Sequence, residues 1–217
     1  MELAAAIRDR KSARAFIDRV VPKEITEQVL KLALCAPSGL NLQPWRIYVV
    51  TGEEKARLSR VLLKAYREKQ VSCSPKTEKP LPQKYSRRAG GLSHYLAPFL
   101  QNDGITFTKF VNEGSCNFYG APVAVLLCQE KIFPKDRLVD IGICAGYLLL
   151  AAGSLGLDTC PVALIAEYQD EIKDLLNIDP DNDIIMGVAM GYADAESPFN
   201  AYKSSRDEPG SFVTWID

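Results

Sequence analysis

Hydrophobic positions change their period several times along the chain, and each change marks the edge of an expected element. A first helix is predicted at Glu2 to Asp9. A second begins at Pro22, which a first turn tolerates because the N–H there has no partner, and carries Ile25, Val29, Leu32 and Ala33 on one face before Pro37. Trp45 to Thr51 (WRIYVVT) is β-branched and aromatic and ends at Gly52, which predicts a strand. A charged amphipathic helix follows at Glu53 to Gln70. From Val71 to about Arg88 the chain is polar, and Pro75, Pro80 and Pro82 predict a loop or lid. Short helical stretches are expected over 89–113, a continuous apolar strand at Val123 to Gln129 and a long apolar helix at Arg137 to Leu155. Val162 to Ile165 and Ile184 to Met190 should complete the sheet, with an amphipathic helix at about Tyr168 to Leu176 between them. After Tyr192 the pattern dissolves into an irregular arm whose Phe199, Tyr202, Phe212 and Trp215 need burial, and a neighbouring subunit would supply it.

Composition narrows what such an alternating chain can do. With 47% hydrophobic and 24% charged residues over 217 positions, a single globular domain with embellishments can bury its own core. A net charge of -1 gives no global field for nucleic acid or an anionic membrane. The uncharged run Ile141 to Leu157 falls short of the roughly 20 residues a bilayer needs, and its glycines suit a core centre or a seam between two subunits. The six cysteines form no CxxC pair and read as reduced thiols, which together with a charged N-terminus implies the cytoplasm.

Absences prune the chemistry. His94 is the only histidine, so acid–base triads would all depend on one residue in a loop-rich stretch. There is no GxGxxG, no GxxxxGK[ST] and no metal-ligand spacing, and no metal site is expected. Four segments remain. Arg10-Lys11-Ser12-Ala13-Arg14 sets two guanidiniums, an ammonium and a hydroxyl on five residues, as a phosphate site would, although a solvated basic turn has the same composition. Ala36 to Trp45 (APSGLNLQPW) combines two prolines and a glycine with Ser38, Asn41 and Gln43, which could read a heterocycle edge or simply connect helix to strand. Thr159 to Leu164 and Asn200 to Trp215, with Arg206, complete the set; either could be plain structure.

Taken together and in order, RxSxR, APSGxNxQPW and the terminal GYxD…PxN…SxRxxPxxFVxW pattern resemble the nitroreductase family over nearly the whole chain. The resemblance implies an α+β fold, with a central mixed, mainly antiparallel sheet flanked by helices and a C-terminal arm (about 193–217) wrapping the partner of a homodimer. It implies one FMN per subunit and reduced nicotinamide, NADH or NADPH, as electron donor to a nitroaromatic, quinone or similar acceptor in ping-pong fashion. Other flavin reactions on this fold (dehalogenation, flavin destruction, ring dehydrogenation) and a non-catalytic flavin binder are the alternatives. Under the resemblance, Arg10, Lys11, Ser12 and Arg14 contact the flavin. Pro37, Ser38, Gly39, Leu40, Asn41 and Gln43 come from the other subunit. Cys160, Pro161, Val162, Ala163 and Leu164 run beside the isoalloxazine, and Ser204 and Arg206 return to the phosphate, with Lys203 displaced by one from the position where relatives carry a second cation. Fixed cations near N1 and O2 would ease reduction, and because flavin carries the redox chemistry no protein nucleophile is needed. A segment at about 67–114 resembles an inserted lid, where Tyr85, Arg87, Arg88, Tyr95 and Phe99 could line the acceptor pocket or pack locally. Either Asn112 or Asn117 could reach the flavin.

Overall fold

The computed structural model describes residues 2–73 and 77–216. Pro75, one of the expected chain breakers, lies outside them. Four strands form one sheet in the order β1-β2-β4-β3: β1 (Trp45–Thr51), β2 (Val123–Glu130), β3 (Asp158–Val162) and β4 (Asn182–Gly191). All three pairings are antiparallel, and the parallel component of the expected mixed sheet is a single isolated bridge, Ser12 to Thr159. Strand β2 is apolar from Val123 to Cys128 because both of its faces are covered. On one face lie α3 (Gly52–Lys69), α5 (Phe107–Cys116) and α7 (Gln169–Leu176), packed on Leu58, Leu62, Phe118, Leu126 and Ile172. On the other lie α2 (Lys23–Ala33) and α6 (Leu138–Ser154), around Val29, Trp45, Val125, Leu127 and Leu148. The first helix, α1 (Leu3–Asp9), rests against α6.

Two boundaries differ from the sequence reading. The third strand is Asp158–Val162 rather than Val162 to Ile165, because its register against Gly187 to Gly191 of β4 decides it, and Leu164–Tyr168 turns as a 3-10 helix. The polar stretch is shorter than a lid reaching Arg88: Pro82 caps the helix α4 (Gln83–Asn102), so the proline that seems to break structure starts it.

Helix α6 is the least finished surface. Extended by the turn before it, Lys135–Ser154 is long and apolar enough to cross a bilayer by length and composition, which the uncharged run alone does not show. Only 39% of that stretch is buried, and Val139 is 67% exposed. Leu3 and Ile7 of α1, Leu32 and Leu34 at the end of α2, and Leu40 and Leu42 are exposed as well. At the other end of the chain, α8 (Pro198–Ala201) leads into the arm, where Phe212 and Trp215, rings expected to be buried, are exposed.

Candidate functional site

The segment after α1 and the edge strand β3 meet at one corner. Beyond the Ser12 to Thr159 bridge, the Ala13 N–H donates to the Thr159 carbonyl at 3.0 Å. Strand β4 covers the inner side of β3 and no named strand covers the outer side, which leaves backbone groups of an edge strand available to a ligand. Ala163 has helical angles (φ -79, ψ -24) and turns the chain out of the strand. Cys160 to Leu164 then border a cavity of about 350 Å³, whose far wall is α5 through Thr108, Val111, Asn112 and Ser115, with Leu92, Phe107 and Tyr119 beside them.

Three of the four basic-motif side chains gather here. Burial raises the Cys160 thiol pKa, while the Arg14 charge, a hydrogen bond with Ser12 and the Arg10 charge pull it back. Burial likewise pushes the Tyr119 hydroxyl up to about 12, and Arg14 opposes that too. Arg14 therefore stands between Cys160 and Tyr119 at the mouth of the cavity, with one guanidinium nitrogen donating to the Ser12 carbonyl at 3.2 Å. Lys11 lies half-buried between its neighbours. The segment is clamped from the arm: Asn200, 2% exposed, accepts from the Arg14 N–H at 2.6 Å and donates to the Ala15 carbonyl at 2.7 Å. Asn200 is the asparagine of the PxN signature, so its signal was present in the chain although no role was read from it.

The Pro37 to Gln43 loop stands elsewhere. Its hydrogen bonds run within itself and to α6, where the Gly39 N–H donates to Asp140 Oδ1 at 3.2 Å. A Cβ on Gly39 would overlap Arg137 Nη1, so the guanidinium could keep this place only beside glycine. Leu40, Asn41 and Gln43 all hold positive φ (52, 56 and 47), an uncommon state for residues with side chains that clusters where structure serves function. Pro37, Leu40, Asn41 and Gln43 are exposed, and Asp140 Oδ2 is buried without a hydrogen-bond partner. The loop is tied to the first turn of α6, whereas Ser12 meets the chain just past its last turn. The 17 residues of α6 separate those ends by about 25 Å at 1.5 Å per residue.

Beyond Asn200, the arm's predicted site residues bond among themselves. Arg206 folds back on its own arm, donating to Ser204 Oγ at 2.7 Å, while Lys203 Nζ lies 3.9 Å from Asp9. The aromatic residues expected around the acceptor separate as well. Tyr85 and Arg88 line a different hollow, against the arm, where Arg88 pairs with Asp207 and lies 5.1 Å over the Phe212 ring. Tyr95 packs on Phe99 and Tyr202 and donates to the Pro198 carbonyl at 3.3 Å. His94 is exposed on α4. Of the two asparagines, Asn112 is committed to residues 66–73, and the Asn117 carbonyl accepts from Lys55 Nζ at 3.0 Å.

The Nitroreductase family model matches residues 7–192, which spans both the basic corner and the strained loop. The chain belongs to the nitroreductase family. It is 31% identical to a 4-nitrobenzoate reductase of Pseudomonas putida, covering 98% of this chain and 94% of that one. It is 33% identical to the nitroreductase NfnB of Mycolicibacterium smegmatis, over 92% of this chain and 86% of the relative. Among solved structures, the FMN-dependent nitroreductase NfnB of Mycobacterium smegmatis in complex with NADPH superposes with a TM-score of 0.87 at 29% identity, covering 99% of this chain and 97% of that one. As a nitroreductase, the chain keeps its strongest motif at the corner and its most strained motif about one helix length away.

Proposed function

We propose that the protein is an FMN-dependent oxidoreductase that takes electrons from NADH or NADPH and delivers them to a nitroaromatic or similar acceptor, working as a homodimer. The observation that carries this is the convergence of Arg10, Ser12 and Arg14 on the open edge at Cys160 to Leu164, beside a cavity. That corner suits a phosphorylated flavin: two cations and a hydroxyl for its anionic parts, a free strand edge for its ring heteroatoms, and a wall of Leu92, Phe107 and Val111 for a flat ring. The named activities of the relatives support the same reading.

Bound FMN would supply the redox chemistry, accepting a hydride from the nicotinamide and passing electrons on. The chain's own residues do the rest. Arg14 and Arg10 would hold positive charge beside the flavin and so favour its reduced form, and Pro161 to Leu164 would line its ring. The cavity wall keeps room for one flat partner at a time, so donor and acceptor take turns. Ser204 and Arg206 reach the phosphate when the arm is held, and the Pro37 to Gln43 loop serves the flavin of the other subunit. The apolar faces of α1 and α6 would form the subunit seam, with the exposed rings of the arm wrapping the partner. Six free thiols fit a reducing compartment, the cytoplasm.

The test is the absorbance spectrum of the purified protein followed by anaerobic mixing with NADPH or NADH. Flavin bands, release of FMN on denaturation, bleaching by the donor and recovery with a nitroarene are expected, with parallel double-reciprocal lines. No flavin after reconstitution would overturn the cofactor; bound flavin that no donor bleaches would make the protein a binder.

A further inference from the structure

A short strap after α3, Val71 to Cys73, reaches one side of the cavity through Cys73, and buried side chains hold it there. Asn112 is 1% exposed on the inner face of α5, together with Thr108, Val111 and Ser115 at helical spacing. Its Oδ1 accepts from the Cys73 N–H at 3.0 Å, and its Nδ2 donates to Ser72 Oγ at 3.0 Å and Tyr66 Oη at 3.3 Å. A backbone N–H can only donate, so the amide orientation is fixed by that bond. Two residues earlier in the strap, Tyr168 Oη donates to the Val71 carbonyl at 2.9 Å. Tyr168 ends the turn that begins at Leu164, and both Leu164 and Cys73 border the cavity. The strap is thus pinned from α5 and from the turn leaving the flavin-side strand, and Tyr66 of α3 steadies Asn112.

We propose that Asn112 is a positioning residue for the electron acceptor: by holding the Cys73 backbone against α5 it fixes the width of the cleft and so the size of aromatic acceptor admitted. This rests on the reading of the cavity as the acceptor site. Asn112 touches neither the basic corner nor the arm by any of its three bonds, so its effect is confined to the cleft. Both amide hydrogens and one oxygen lone pair are engaged and the side chain is almost wholly buried, so its influence passes through the strap. The Asn112 bonds join residues 40 and 39 positions apart to Ser72 and Cys73, so the clamp is tertiary and is not expressed in local sequence.

The experiment compares wild type with N112L, N112D and S72A, using nitrobenzene-sized and naphthalene-sized nitroarenes with NADPH, alongside FMN content and the rate of flavin bleaching by NADPH. N112L keeps the volume and loses all three bonds; the ratio of KM values for large and small acceptors should change by about threefold to tenfold, with FMN content and bleaching rate held within about twofold. N112D keeps an acceptor for the Cys73 N–H and should restore most of the wild-type ratio. S72A removes one bond and spares the Cys73 link, so it should move the ratio by less than N112L. A ratio unchanged in N112L with flavin retained would overturn the proposal, as would equal shifts in N112L and N112D. Should N112L lose flavin, the S72A ratio decides, and an unchanged one overturns the proposal. Wild type that bleaches with no donor and reduces neither nitroarene would instead sink the functional reading.

Discussion

The corner at Ser12 and Thr159 and the loop from Pro37 to Gln43 are made of similar residues, small, polar and irregular, yet one is closed within the chain and the other is not. At the corner each partner is local: Thr159 takes the Ala13 N–H, Asn200 fastens residues 14–15, and Arg14 stands between Cys160 and Tyr119. At the loop, three side-chain-bearing residues hold left-handed angles and the apolar Leu40 is exposed. A fold that maintains unusual backbone conformation without using it inside one chain is shaped for something outside that chain. On the proposed homodimer reading, the corner and the loop are two unlike parts of one site, about a helix length apart in one subunit, that a second copy would bring together.

The strongest way to break this contrast is V139E, a charge on the exposed apolar face of α6. Burial of an unpaired carboxylate in a subunit seam should weaken association by on the order of 100-fold or more, with loss of bound flavin in parallel, as read by sedimentation and absorbance. A variant that stays dimeric and yellow would show that α6 simply faces water. Next is R14A, which removes the cation of the closed corner while leaving the seam alone: FMN affinity should fall by about 10- to 100-fold in a fluorescence titration, with the dimer intact. Equal loss of both properties would erase the distinction between the two regions.

The smallest effect lies in the thiols. Cys73 and Cys35 are exposed, and Cys35 sits beside Leu34 at the end of α2. Cys35 should alkylate several-fold faster in V139E than in wild type, while Cys73 should not change; the same rate for Cys35 in both would place the end of α2 outside the seam. The buried thiols set a pH limit on the fold. Burial pushes Cys116 and Cys128 up to about 12 and Cys144 up to about 11, so the folded chain keeps protons that an unfolded chain gives up near its ordinary thiol pKa of about 8.5. Their contribution is fully present below that value and is lost as pH rises toward 11 to 12. Urea midpoints should therefore fall steadily above about pH 8.5.

What could be read in the chain follows from how local each cause is. Trp45 to Thr51 and the strand at Val123 are legible because both bury apolar runs against helices on either side. Strand β3 is not, since Asp158 and Thr159 carry no strand signal and enter the sheet by pairing with Met190 and Gly191. RxSxR and the Cys160 segment could be named individually, but their meeting needs the Ser12 to Thr159 bridge across most of the chain. The cavity wall of Thr108, Val111 and Ser115 escaped notice because three residues at helical spacing look the same whether they face a core or a hollow. Tyr85, Arg88 and Tyr95 follow the local-packing alternative, because the arm engages them.

Helix α6 has one more consequence. A lone copy displays a greasy rod close to the length and character of a membrane span, with Val139 at its start and Tyr147 midway still wet. If the chain pairs as proposed, a newly made copy is an awkward solute until it meets its twin. Its fate in a dilute cell is a race between pairing, capture by chaperones and clumping, and the rate of encounter matters to its survival as much as its folded stability.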